Sequence, residues 1–391
     1  MHTRFIRAGA VIGVLAITAT ACGSSNKTAT TAAPATTAAS TATTAASTAT
    51  TTATSTGGAA TPAISVDVST TGGKVGFILP DTKSSARWQD FDLPLLTAAC
   101  KQANITCEIQ NAEGDATKMA TIADQMITDG VKVLAIVDLD SASGAAIQKK
   151  AAAAGVKNID YDRLTLGGAA DAYVSFDNVA VGTAQGQGLL KCLGGTAGAK
   201  GKNIIELDGS PTDNNATLFK QGYVAAVKDS GINIVGDVAV PGWDNQQGGQ
   251  LFEQLLTKAG GKIDGVLVAN DGLSLAAQAV LTKNGLKVPT TGQDATVDGL
   301  RAILQGTQCM TVYKPVIAEA TGAVNAAVAL LAGKKPATSD TINNKTGDIP
   351  YTKAAIQSIF IDSVKIPVKD GFVKRDDVCK GIESLCTANG I

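Results

Sequence analysis

Three features of the sequence predict an α/β fold of two similar doubly wound parallel-sheet lobes. From about Gly73 onward, short β-branched apolar runs alternate with longer amphipathic stretches, the pattern of βαβ units around a parallel sheet. The alternation forms two series of similar size. Almost every apolar run ends in Arg, Asp, Asn or Lys, and open α/β sheets bind ligands in the crevice beyond the carboxyl ends of their strands.

The elements follow in order. The first series places strands at 74–80, 105–112, 131–139, 156–163 and 173–177, where β-branched and apolar residues cluster. Longer amphipathic stretches place helices at 86–103, 116–129 and 143–154. Asp138 and Asp140 precede the last of these and are expected either to cap it or to contact solute. They do not form a calcium loop, because Ala142 and Ser143 stand where that loop needs an oxygen ligand and the turn glycine. The second series has strands at 203–208, 232–240, 265–270 and 288–294, and helices at 179–193, 212–228, 245–259, 273–284 and 297–305. A last short run, 311–313, leads to Lys314.

The N-terminus belongs to processing. Arg4 and Arg7 form a basic region, and residues 8–21 are apolar but too short to span a bilayer. Ala19-Thr20-Ala21-Cys22-Gly23 then looks like a bacterial lipoprotein box, with Ala19 in place of the usual Leu. The expectation is a signal peptide at 1–21 and a lipid on Cys22 that anchors the exported chain to the outer face of the cytoplasmic membrane. An ordinary signal peptide is the alternative. Residues 22–72 comprise that cysteine and a Thr/Ala/Ser-rich tether, whose roughly 45 residues give a mean span of about 35 to 40 Å.

Composition removes several classes of function. The 391 residues carry a formal net charge of -1 with no long block of either sign, so nucleic acid is not an expected partner. The sole histidine, His2, precedes the cleavage site, which excludes Ser-His-Asp triads and His metal sites from the mature chain. Gly186-Gln187-Gly188 has Lys191 where a dinucleotide fingerprint needs its third glycine. Neither a metal nor another cofactor is expected.

Eight short motifs carry a resemblance. They are Ala86-Arg87-Trp88-Gln89, Tyr161-Asp162-Arg163, Val174-Ser175-Phe176-Asp177-Asn178, Ser210-Pro211-Thr212-Asp213-Asn214-Asn215-Ala216, Gly242-Trp243, Ala269-Asn270-Asp271, Gly292-Gln293-Asp294-Ala295 and Thr311-Val312-Tyr313-Lys314-Pro315. In order and spacing the chain resembles the D-xylose-binding proteins of ABC transporters, within the periplasmic-binding-protein type I class. The resemblance runs from about Lys74 to about Gly371. It implies two lobes joined by a three-strand hinge, with crossovers near Asp177-Asn178, Asp294 and Pro350. The lobes would then be 73–177 with about 295–349, and 178–294 with about 350–391. It also implies a monomer that passes a monosaccharide, D-xylose first and D-glucose next, to a membrane permease.

The residues suit that ligand. A pyranose has apolar C–H faces for aromatic rings and a belt of hydroxyls that both donate and accept. The two tryptophans, Trp88 and Trp243, stand beside polar strand ends and are expected to be stacking faces. Arg87, Arg163, Asp213, Asn215, Asn270, Asp294 and Lys314 are expected to meet the hydroxyls with charge-assisted bonds. Asp162 and Asn214 adjoin these positions. Each of these residues also has a plainer use: Asp213, Asn270 and Asp271 as helix caps, Arg163 as a partner of a nearby carboxylate, and Lys314 as a solvated turn residue. Removing Cys22 from seven cysteines leaves six, an even number for an oxidising compartment. Cys100 with Cys107 and Cys379 with Cys386 are the expected local disulfides. Cys192 and Cys309 either pair or stay free, and a bridge between lobes would oppose hinge motion. Two other functions fit the same residues: a receptor reporting sugar to a sensor, and a glycosidase using Asp213 and Asp294 as its carboxylates.

Overall fold

The computed structural model describes residues 65–391. The signal at 1–21, Cys22 and the tether as far as residue 64 lie outside the described residues. The tether's expected end at 72 is too late. Val66 packs on a core, Asp67 N donates to Asn325 Oδ1 at 2.7 Å, and Ser69 N donates to the Ala103 carbonyl at 2.8 Å.

Among the described residues twelve strands occur in chain order: β1 (Lys74–Leu79), β2 (Thr106–Asn111), β3 (Val133–Ile136), β4 (Lys157–Tyr161), β5 (Ala172–Phe176), β6 (Asn203–Asp208), β7 (Asn233–Ala239), β8 (Gly265–Val268), β9 (Thr311–Tyr313), β10 (Asp340–Asn343), β11 (Asp348–Ala354) and β12 (Gln357–Ile359). The first lobe holds a sheet in the order β10-β11-β5-β4-β3-β1-β2, parallel except for the β10–β11 hairpin. Alternation along β1 feeds both of its faces. Val75, Phe77 and Leu79 join a core with Leu96 and the helix Val316–Leu331, while Ile78 joins Met119, Ile122 and Ile147 on the other side. That is the doubly wound arrangement the alternation predicts.

The second lobe is centred on β7-β6-β8. Its sheet continues through residues 289–294, which are expected to be a strand and act as one by hydrogen bonding. Val266 N donates to Pro289 O, Thr291 N to Val266 O, Val312 N to Gly292 O and Asp294 N to Val312 O. The order is thus β7-β6-β8, then 289–294, then β9 and its antiparallel partner β12. Ile205, Leu207, Val266 and Val268 pack here with Phe219, Phe252 and Leu273.

These pairings correct two of the three expected crossovers. The first is at Asp177, where β5 leads into the helix Asn178–Cys192. The second is at Lys314-Pro315, about one helix and one strand beyond Asp294, because the helix Val297–Leu304 and β9 belong to the second lobe. The third is at Ala355-Ile356 rather than Pro350, because β11 pairs with β5 through Ala354. The segment 295–313 therefore moves from the first lobe to the second, and 350–354 moves the other way. Both errors arise where a polar strand end or a proline marks a turn without marking which sheet follows it.

Reassigning 295–313 also resolves the cysteines. Cys100 is bonded to Cys107, Cys379 to Cys386 and Cys192 to Cys309. The last pair joins the end of helix Asn178–Cys192 to the residue that hydrogen-bonds Thr290, so it lies within the second lobe and leaves hinge motion free.

Candidate functional site

A small cavity of about 30 Å3 lies between the lobes, well below the roughly 300–1,000 Å3 typical of small-molecule pockets, because the lobes are drawn together over it. All nine residues expected at the site line it: Arg87, Trp88, Arg163, Asp213, Asn215, Trp243, Asn270, Asp294 and Lys314. Asp162 lines it as well, whereas its counterpart Asn214 only begins the helix Asn214–Val227. Ser84, Ser85, Phe219 and Gln293 complete the lining and are additions to the sequence reading. Phe219 follows Asn215 by four residues and so shares its helix face, a spacing the sequence displays. The two serines lie just before the motif at 86–89 and Gln293 lies inside the motif at 292–295, and none of them carries a separate signal.

Backbone geometry aims several of these side chains. Asp162, Trp243 and Asp294 all have positive φ, at 62°, 56° and 98°. Non-glycine residues in this region cost of order 1–3 kcal/mol each, and such strain clusters where a side chain must point in one direction. Trp243 closes a short turn with Pro241 and Gly242, and Gly209 beneath it has no room for a Cβ because the indole covers it. Its Nε1 donates to Asp213 Oδ2 at 3.0 Å, and its ring meets Phe219 edge-on at 6.4 Å. Trp88 Nε1 donates to Ser84 Oγ at 3.0 Å, with the Arg87 guanidinium 4.4 Å from its ring centroid. Both tryptophans line the cavity and are also core members, so each has one side toward the cavity and one packed in its lobe.

On the first lobe Arg87 is held by protein carboxylates. Nε and Nη2 grip Asp92 at 2.9 and 2.8 Å, Nη1 donates to Asp162 at 2.7 Å, and Nη2 donates to Glu319 at 2.6 Å. Burial and the crowd of acids push the Glu319 carboxyl well above its usual range even though Arg87 opposes this. Burial acts on Asp162 in the same sense, but Arg87, Lys314 and Arg163 outweigh it and hold that carboxyl below its ordinary value. Arg163 donates from Nη1 to the Asp138 carbonyl and pairs through Nε with Asp213 of the other lobe at 2.9 Å. Burial raises the Asp213 carboxyl, with Arg163 opposing.

The second lobe brings Asn270, Gln293 and Asp294. Two of the three capping uses hold alongside the cavity positions: Asp213 accepts from Asn215 N at 2.8 Å, and Asn270 Oδ1 accepts from Leu273 N at 2.9 Å, whereas Asp271 lies inside the helix and accepts from Thr296 N, Gln308 Nε2 and Thr311 Oγ1. Asn270 Nδ2 also reaches across to the Ser84 carbonyl at 3.1 Å. Ser85 donates to Asp294 Oδ2 at 3.0 Å, and Lys314 lies 3.2 Å from Asp294 Oδ1. Lys314 is buried on the second crossover, not solvated. The lobes thus meet directly around the cavity, in a closed arrangement.

The lining carries three cations, Arg87, Arg163 and Lys314, interleaved with three carboxylates, Asp162, Asp213 and Asp294. Such a set suits a neutral polar ligand rather than an anion or cation. Among the described residues, the buried cavity atom Gln293 Oε1 has no polar partner, whereas Arg163 Nε and Asp294 Oδ1 lack a well-formed hydrogen bond but stand in ion pairs with Asp213 and Lys314. An unmet buried acceptor costs roughly 1–3 kcal/mol. A ligand hydroxyl would meet it. Among the described residues, the one group of three carboxylates with oxygens close enough to share a metal ion, Glu206, Asp208 and Asp237, lies away from the cavity and is bridged by Lys220.

Comparison with known proteins agrees with this architecture. Residues 75–335 match the periplasmic binding protein domain family. The D-xylose-binding periplasmic protein of Escherichia coli is 34% identical over 312 residues, covering 78% of this chain and 92% of the relative. A multiple sugar-binding periplasmic receptor of Rhizobium radiobacter is 31% identical, covering 81% and 94%. A carbohydrate-transporter solute-binding protein of Chloroflexus aurantiacus, solved with D-glucose, superposes with a TM-score of 0.71 at 29% identity, covering 78% of this chain and 97% of that one. These relatives are solute-binding proteins, not enzymes.

Proposed function

The chain belongs to the periplasmic binding protein family, type I, and we propose that it captures a monosaccharide, D-xylose first and D-glucose next, for delivery to an ABC importer. The observation that carries this reading is the small interlobe cavity, which three cations, three carboxylates and two tryptophans line together. A pentose has about ten non-hydrogen atoms, and a ceiling near -1.5 kcal/mol per atom leaves ample room for micromolar binding, about -8 kcal/mol. Sugar bound between the lobes would stabilise the closed state by its greater affinity for it. The lipid on Cys22 would keep the monomeric receptor near its permease, the tether giving it reach.

Calorimetry with a panel of pentoses and hexoses tests the reading. D-xylose or D-glucose should bind with micromolar or tighter affinity, and Trp243→Ala and Asp294→Asn should each weaken it strongly in protein that circular dichroism shows to be folded. Near-normal affinity in both variants would sink the site assignment. Absence of binding to every sugar in the wild-type protein would sink the function.

A further inference from the structure

Outside the cavity, the lobes also meet through an aromatic stack that involves the C-terminal tail. Phe91 of the first lobe lies on the turn Trp88–Asp92, in the same turn as Trp88 and next to Asp92, the carboxylate that grips Arg87. Phe372 of the tail stacks on it with ring centroids 4.3 Å apart and planes at 19°. Tyr313, the residue before Lys314, packs on Phe372 at 5.0 Å. Neither phenylalanine lines the cavity.

The tail itself is fixed to the second lobe. Val364, Val368, Val373 and Val378 share a core with Leu300, Ile303 and Leu304 of the helix Val297–Leu304. Arg301 Nη1 donates to the carbonyls of Val378 and Lys380, both at 2.8 Å, and Cys379–Cys386 closes the segment. The tail follows the part of the chain matched to the family, which ends at 335. Phe372 therefore extends from a braced segment of one lobe to the turn that presents site residues on the other.

We propose that Phe372 and Phe91 are positioning residues for ligand capture: their stack is made when the lobes close, and it holds the Trp88–Asp92 turn in place while it biases the molecule toward the closed state. A contact made in only one state shifts the equilibrium by its own worth, and apparent affinity changes by the change in the competent fraction. This rests on the sugar-binding reading above.

The test is a double-variant cycle on D-xylose binding, with hydrogen exchange on the ligand-free protein. Phe372→Ala should raise Kd about 3- to 10-fold, mostly through faster dissociation. Phe91→Ala should do the same, the double variant should be no more than about twofold worse than the weaker-binding single, and Phe372→Tyr should restore near wild-type affinity. Affinity of Phe372→Ala within twofold of wild type, or single effects that multiply in the double, overturns the proposal. Should the wild-type protein bind no sugar at all, the function fails separately. The stack is then judged by exchange alone: amides 88–92 should exchange faster in Phe372→Ala, and unchanged rates there overturn it.

Discussion

The two walls of the cavity are built on different principles. On the first lobe, Arg87 places its guanidinium bonds on Asp92, Asp162 and Glu319, and Tyr161 donates to Asp92 at 2.6 Å, so the wall is braced largely by its own charges. On the second lobe, Gln293 Oε1 is a buried acceptor with no polar partner, and Asp213 and Asp294 are each met by one cation from outside that lobe's sheet, Arg163 and Lys314. One wall is braced within its own lobe, whereas the other is held by groups that reach it when the lobes meet. A residue's charge and its position on the cavity do not by themselves separate a brace from a ligand contact; the number of protein partners it already has does.

The largest expected effect tests the braced wall. Arg87→Met leaves Asp92, Asp162 and Glu319 buried without their cation, and breaking a buried pair from one side costs about 3–5 kcal/mol. Urea unfolding of the ligand-free variant should show that loss, and a stability change under 1 kcal/mol would mean the wall is not held by this cluster. The corresponding change on the other wall, Asp294→Asn, should show the opposite balance. Stability should fall by less than for Arg87→Met, since one ion pair with Lys314 is weakened rather than three around Arg87, while sugar affinity falls about 10- to 100-fold, the worth of a hydrogen bond to a charged group. Equal effects of the two substitutions on stability would erase the distinction.

Next is the disulfide that closes 117 residues within the second lobe. The paired substitution Cys192→Ser and Cys309→Ser should cost about 2–5 kcal/mol on unfolding, yet leave sugar affinity unchanged, because the bridge does not cross the hinge. A tenfold fall in affinity would place the bridge in the closing motion after all.

The smallest effect concerns pH. Burial, with Asp160 and Asp213 nearby, pushes the Asp138 carboxyl up to about 8 from an ordinary 3.8. The folded state then binds more protons than the unfolded chain between those values. Asp138 accordingly stabilises the fold most at low pH, and this contribution is lost as pH rises toward 8. Burial likewise takes Asp160 and Asp271 to about 7, so both add to the same trend. The denaturation midpoint of Asp138→Asn should fall less between pH 5 and pH 8 than that of the wild-type protein. An identical fall in both would exclude Asp138 from the effect.

The sequence by itself determined the lobes' architecture as far as residue 313 and nine of the fourteen residues that line the cavity. Alternation of apolar runs is a local signal, and a polar residue just past a strand must lie at the strand's carboxyl edge whatever the strand's neighbours, so Arg87, Arg163, Asn270, Asp294 and Lys314 were legible. The plain capping roles of Asp213 and Asn270 were legible for the same reason, since a cap involves only the next few residues. What tertiary structure alone decided was pairing over long separations. The sheet that takes residues 311–313, and hence the second crossover and the lobe of Cys309, depends on which strand edge is open when that segment arrives, and no local pattern encodes this. The division of polar groups into braced and open depended on partners as distant as Glu319 is from Arg87. The meeting of Phe91 with Phe372 was beyond the sequence for the same physical reason: a contact between residues hundreds of positions apart is fixed by closing the whole fold, and leaves no trace in the periodicity of either segment.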